Sequence, residues 1–121
     1  MRLLKRVEYE AVYGAGQRRS SPQFAVFFRS QQAIPREVPG NHAAAPVRTS
    51  RFGISVKKAL GGAVVRNRIR RRIREILRRN RTEIPTGWDI VIHPRRSVAE
   101  APFAPLETEL VRLLCGIKPK A

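Results

Sequence analysis

Cysteine, histidine and acidic residues are scarce in this chain, and each scarcity excludes something. A single cysteine, Cys115, rules out an internal disulfide and fits a reducing, cytoplasmic setting. It follows Leu114 in an apolar stretch and reads as a small core residue. The two histidines, His42 and His93, have no cysteine or carboxylate at metal-ligand spacing. His93 reads as a structural or partly exposed strand residue rather than a general base. The nine Asp and Glu residues are scattered, with no pair suited to holding catalytic metal ions. No catalytic residue and no metal site are therefore assigned. No apolar run reaches the ~18 residues of a membrane span, and MRLLKRVEYE lacks the apolar core of a secretory signal. Gly14-Ala15-Gly16 lacks a third glycine and a preceding strand, and Gly61-Gly62 lacks the Lys-Ser/Thr of a P-loop. Both read as punctuation around helices.

What the chain has is arginine. Its 121 residues suit one domain with one modest core, and its formal net charge is +16. A field of that size attracts nucleic acid. The charge is concentrated: nine arginines fall between Arg66 and Arg81. On a 3.6-residue period Val65, Ile69, Ile73, Ile76 and Leu77 form one apolar stripe. Arg70, Arg74, Arg78 and Arg81 form another face, with Asn67 and Arg71 close by. Arg68, Arg72 and Arg79 flank the stripe on the opposite side. Like charges at i, i+4 repel by a few tenths of a kcal/mol per pair. An anionic partner, a polyphosphate backbone or an anionic membrane, would remove that repulsion. The preference for Arg over Lys favours bidentate phosphate contacts and stacking.

The remaining elements are read from their patterns. Val7, Tyr9, Val12 and Tyr13 suggest a short helix ending at Gly14 or Gly16. A basic turn, Arg18 to Pro22, precedes an apolar strand from Phe24 to Phe28. Residues 31–48 are rich in Pro and Ala, lack any period, and read as a mobile loop. From Arg51 to Lys57, Phe52, Ile54 and Val56 alternate with Arg51, Gly53, Ser55 and Lys57, giving a half-buried strand with a basic outer face. Trp88 to His93 reads as a strand closed by Pro94. Pro102 and Pro105 open a last helix through Phe103, Leu106, Leu110, Leu113 and Leu114, which Gly116 ends. The result is a single α+β domain spanning 1–121.

A basic helix, a basic strand face and amino-terminal aromatics together suit single-stranded nucleic acid in a groove, with bases on rings and phosphates on Arg. The residues alone leave alternatives open. Tyr9, Tyr13, Phe24 and Phe27 can equally be core residues. A stand-alone RNA-binding module, such as a ribosomal protein, has similar size and charge. An autonomous nuclease is disfavoured by the missing carboxylate cluster.

The segment ISVKKALGGAVVRNRIRRRIREIL resembles the signature of the bacterial ribonuclease P protein subunit: a strand ending in Ser-Val-x-Lys, a glycine turn, and a helix opening with Arg-Asn-Arg. Glu8-Tyr9 and Val12-Tyr13 resemble the family's amino-terminal aromatic pairs, and GWDIVIHPR its last strand. The resemblance covers nearly the whole chain outside 31–48. It implies a small two-layer α+β sandwich: a central, mostly antiparallel sheet, helices packed on one side, and a left-handed crossover at the arginine-rich helix. It implies a ribonucleoprotein endonuclease that matures the 5′ end of precursor tRNA in the cytoplasm, with hydrolysis carried by a catalytic RNA subunit and Mg²⁺ required by the holoenzyme. The protein would bind no cofactor of its own, no membrane and no obligate protein partner. The RNA-subunit contacts would map onto Arg66, Asn67, Arg68, Arg70, Arg71 and Arg74. The contacts to the 5′ leader would map onto Tyr9, Tyr13, Phe27, Ser55 and Lys58. The chain departs from the family pattern at Ala59 and Gly62, so no phosphate or metal contact carries over to those side chains. Lys57 is placed to compensate.

Overall fold

The computed structural model describes residues 2–3, 6–14, 17–30 and 50–117. The loop assigned to 31–48 lies outside them. The strands are β1 (Arg2–Leu3), β2 (Gln17–Ser20), β3 (Phe24–Ser30), β4 (Arg51–Ile54) and β5 (Trp88–Pro94). The helices are α1 (Arg6–Gly14), α2 (Ala63–Arg79) and α3 (Phe103–Cys115). The strands form one sheet in the order β1-β4-β5-β3-β2. Antiparallel pairing runs through seven positions of β3 with β5 and four of β2 with β3. Parallel pairing is shorter, four positions of β4 with β5 and two of β1 with β4. The sheet is therefore mixed, with more antiparallel than parallel pairing. Because β4 and β5 are parallel neighbours, α2 is the crossover that joins them.

Side chains alternate across a strand, so β5 serves two faces. Ile90 and Ile92 enter the main core with Phe24, Val26, Phe28 and Phe52. Helices α2 and α3 cover that face with Ile69, Ile73, Ile76 and Leu77 from one and Leu106, Leu110, Leu113 and Leu114 from the other. Both sets follow the helical period expected from the sequence. Val91 points the opposite way and meets Val12 of α1, with Tyr9 and Phe27 packed beside them. The two long helices thus share one side, while α1 lies across the other and forms a second, smaller apolar contact.

Gly61 has φ of +146°, a conformation that side chains rarely adopt, and a Cβ there would sit 3.0 Å from Val65. The glycine therefore turns the chain between the short 3₁₀ turn Lys58–Leu60 and α2. Helix α2 ends at Asn80, whose side-chain amide donates to the Ile76 carbonyl at 2.8 Å. Glu109 of α3 ties the β2–β3 turn down, accepting from the Ser21 hydroxyl and from the Gln23 backbone N–H at 2.8 Å. Burial pushes the Glu109 carboxyl up, but the hydrogen bonds from Ser21 and Gln23 outweigh it and hold it below its usual value.

Three local expectations are corrected. Arg18 and Arg19 are in strand β2, not in a turn; Arg18 pairs opposite Phe27, and the turn is confined to the residues before Phe24. The strand expected through Lys57 ends at Ile54, although the Ser55 N–H still donates to the Ile92 carbonyl at 2.9 Å. Its outer face is not open to solvent throughout, because Gly53 is buried under Tyr9. Cys115 is exposed rather than in the core. It lies one residue beyond Leu114, about 100° further round the helix, which takes it off the buried stripe.

Candidate nucleic-acid interface

On the α1 side of the sheet three rings close on one another. Tyr13 and Phe27 meet edge to face with centroids 5.1 Å apart, as do Phe27 and His93 at 5.1 Å, and Tyr13 and His93 lie 5.6 Å apart. The Tyr13 hydroxyl and His93 Nε2 are hydrogen-bonded at 2.8 Å. Tyr13 is 37% exposed, so the cluster is open to solvent on one side. The Arg18 guanidinium lies 5.6 Å from the Phe27 ring centre. Tyr9 completes the row one helical turn earlier on α1. A Cβ on Gly53 would come within 2.5 Å of the Tyr9 ring, so glycine is what lets this ring approach β4 so closely.

The titrating groups report their surroundings. Burial pushes the Tyr9 hydroxyl up, and a backbone hydrogen bond from Ile54 and the charge of Arg70 partly oppose it. Burial likewise raises Tyr13, opposed by a hydrogen bond with Ser55. His93 is held below its ordinary value, first by burial and then by the charges of Lys57 and Arg18. With the ring contacts, these couplings define a candidate groove: rings open on one side, within reach of the charges of Arg18, Lys57 and Arg70.

Four of the five leader residues expected from the sequence, Tyr9, Tyr13, Phe27 and Ser55, meet in this groove. Phe24, the fourth aromatic weighed with them, is fully buried in the main core. Lys58 is exposed at the start of the 3₁₀ turn, and the lysine whose charge reaches His93 is Lys57. Sequence reasoning did not place His93 or Arg18 here. His93 shares the face of Val91 by strand alternation, but nothing in a single sequence says which face α1 covers.

The arginines of α2 divide by what they touch. Arg72 is a brace: it donates to the Val98 and Ala99 carbonyls at 2.9 Å each and to the Ala101 carbonyl at 2.5 Å. Arg79 pairs with Glu107 at 2.9 Å, and Arg78 with Glu75 at 2.6 Å. Arg66 Nε donates to the Gly61 carbonyl at 3.1 Å, which holds that guanidinium at the start of the helix. Arg70 donates to the Asn67 side chain at 3.2 Å and borders the groove beside Tyr9. Arg68, Arg71 and Arg74 are exposed. Arg68 lines a cavity of about 320 Å³ with Val64, Val65 and Arg96. The first turn of α2 carries no acidic residue to offset the positive end of the helix. The site residues proposed from the sequence thus occupy two adjoining surfaces, and Arg70 stands between them.

Among the described residues no group of three or more His, Cys, Asp or Glu side chains gathers to hold a metal ion. Nor is any described helix long and apolar enough to cross a membrane.

The Ribonuclease P family model matches residues 1–118. The chain belongs to the ribonuclease P protein family. It is 37% identical over 116 residues to the ribonuclease P protein component of Desulfovibrio desulfuricans, covering 94% of this chain and 80% of that one. It is 34% identical over 112 residues to the Bacillus mycoides component, covering 93% and 86%. Among solved structures, the ribonuclease P protein of Thermotoga maritima superposes with a TM-score of 0.79 at 31% identity, over 98% of this chain and 99% of that one. The Staphylococcus aureus ribonuclease P protein gives 0.72 at 27% identity, over 93% and 91%. Family membership makes the chain a component of the ribonuclease P ribonucleoprotein and supports the reading of its basic surface as one for RNA.

Proposed function

We propose that the two adjoining surfaces hold two different RNAs. The face formed by Arg66, Asn67, Arg68, Arg70, Arg71 and Arg74 binds the catalytic RNA subunit. The groove of Tyr9, Tyr13, Phe27 and Ser55, with Lys58 at its mouth and Lys57 nearer His93, holds the 5′ leader of precursor tRNA. Bases stack on the rings while phosphates meet the surrounding cations. The RNA subunit performs the metal-dependent hydrolysis with Mg²⁺, in the cytoplasm, and the protein supplies positioning and charge. The observation that carries this reading is the solvent-open cluster of Tyr13, Phe27 and His93 with the Arg18 guanidinium against it, within reach of the charge of Arg70 on the arginine helix. One RNA can therefore lie on the helix while a single strand enters the groove beside it. The family match favours this reading over a stand-alone ribosomal RNA-binding protein, the other reading open from the sequence.

Reconstitution tests it. Rigorously RNA-free protein is expected to leave precursor tRNA uncut. With its cognate RNA it is expected to support cleavage at lower magnesium than the RNA alone requires. Metal-dependent cleavage by the protein by itself would overturn the assignment of the chemistry to RNA.

A further inference from the structure

The Tyr13–His93 hydrogen bond joins two rings of the cluster through their polar atoms, and one of its partners is a histidine, whose ring can gain or lose a proton. Neutral histidine can accept from the Tyr13 hydroxyl at Nε2, which uses the hydroxyl proton inside the cluster. Protonated histidine carries hydrogen on both nitrogens, so Nε2 can only donate. The Tyr13 oxygen must then accept, and its own proton turns to another acceptor, either Ser55 or an oxygen of a bound nucleotide.

We propose that His93 is a further leader-reading residue, whose proton reverses the Tyr13 hydroxyl and tightens the groove on the leader. The proposal rests on the leader-binding reading and adds to it a residue and a direction. The groups facing His93 and Tyr13 come from every neighbouring element: Tyr9 and Tyr13 from α1, Arg18 from β2, Phe27 from β3, Ser55 and Lys57 from the segment after β4, and Arg70 of α2 by way of Tyr9. The charges acting directly on His93, those of Lys57 and Arg18, are both positive. In the empty groove they oppose proton uptake, as burial does. A leader phosphate opposes this: it neutralises those cations and pairs with the imidazolium, offsetting the cost of burial.

The sign follows from linkage. The pKa of His93 is lower in the free groove than in the occupied one, so binding takes up a proton. Leader affinity therefore rises as pH falls through the occupied-state pKa, and levels off below the free-state pKa. A difference of one unit between the two states gives about a tenfold gain.

The test uses reconstituted holoenzyme and a non-cleavable precursor tRNA, compared with the same tRNA lacking its leader, between about pH 8 and pH 5.5. The readout is the ratio of the two affinities, which cancels pH effects on the tRNA body. In the native protein this ratio is expected to climb by up to about tenfold on acidification. In His93→Gln, which hydrogen-bonds without titrating, it should stay level. In Tyr13→Phe, which keeps the ring and loses the hydroxyl, the climb should shrink. Melting temperatures of both variants verify that the groove is folded. A ratio that ignores pH in the native protein, or climbs equally in His93→Gln, overturns the proposal while leaving the leader reading intact. A ratio near one at every pH would sink the leader reading itself.

Discussion

Replacing Asp89 with alanine is expected to destabilise the protein by about 3–5 kcal/mol, the cost of stranding buried charge. Asp89 is fully buried. Its carboxylate accepts from Arg51 at two points, Nε at 2.9 Å and the terminal nitrogen at 2.6 Å, and from Arg29 at 3.3 Å. The three residues are direct cross-strand partners, Arg29 and Arg51 each opposite Asp89. The triad therefore clasps β3, β5 and β4 in register. Both arginine side chains are mostly covered, at 19% and 15% exposed, so water offers them little compensation once the carboxylate is gone. Thermal melting of Asp89→Ala should show a fall of roughly 10 °C or more for a domain of this size. A loss below about 1 kcal/mol would mean that the pairs behave as ordinary surface salt bridges.

Arginines on the same helix should fail in different ways. Arg66→Ala and Arg68→Ala are each expected to weaken binding of the RNA subunit. Each should also reduce the magnitude of the log–log salt slope by roughly 0.7 to 0.9, as one phosphate contact is lost. Folding should change little, since neither side chain holds the core. Arg72→Ala should do the reverse. It frees three carbonyls, on Val98, Ala99 and Ala101, from a charged donor. Hydrogen bonds to charged groups contribute about 1.5–3 kcal/mol, so its effect should appear in the melt, with the salt slope kept. Titrating RNA binding over a salt series in all three variants separates the roles. Unchanged slopes for Arg66 and Arg68 would reduce those side chains to a solvated face.

The contrast shows what a sequence can and cannot convey. The buried stripe of α2 was legible because helical period alone sorts Ile69, Ile73, Ile76 and Leu77 from their neighbours. The Arg-Asn-Arg block was legible as a family resemblance. Arg72 was placeable only as a flank of that stripe, since its three acceptors lie 26 to 29 residues further on. Asp89 reads as one polar residue in an apolar strand, and its partners become visible only when the sheet order puts β5 between β3 and β4. Tyr9, Tyr13 and Phe27 were recognisable as aromatics near a basic surface, but pattern could not separate them from Phe24, which the strand turns to the opposite face. His93 was hidden for the same reason. Arg18 was misread because Pro22 and two serines mark a turn, and only pairing with β3 shows that the strand reaches to its edge. Cys115 was misassigned by adjacency to Leu114, where the angular step of a helix decides burial.

Tyr13→Ala bears most directly on the claim that the α1 face is a groove for a single strand. The measurement is paired: melting temperature of the free protein, and holoenzyme affinity for tRNA with and without its 5′ leader. Tyr13 is exposed and stands on the open side of the ring cluster. Stacking on a ring contributes about 1–3 kcal/mol per base, so the leader-bearing substrate should bind roughly tenfold more weakly. The leaderless tRNA should bind as before, and the melt should move little. A core role makes the opposite demand, about 3–5 kcal/mol of lost stability for a truncated aromatic, shared by both RNAs. A collapsed melting temperature with no leader-specific loss would contradict the groove.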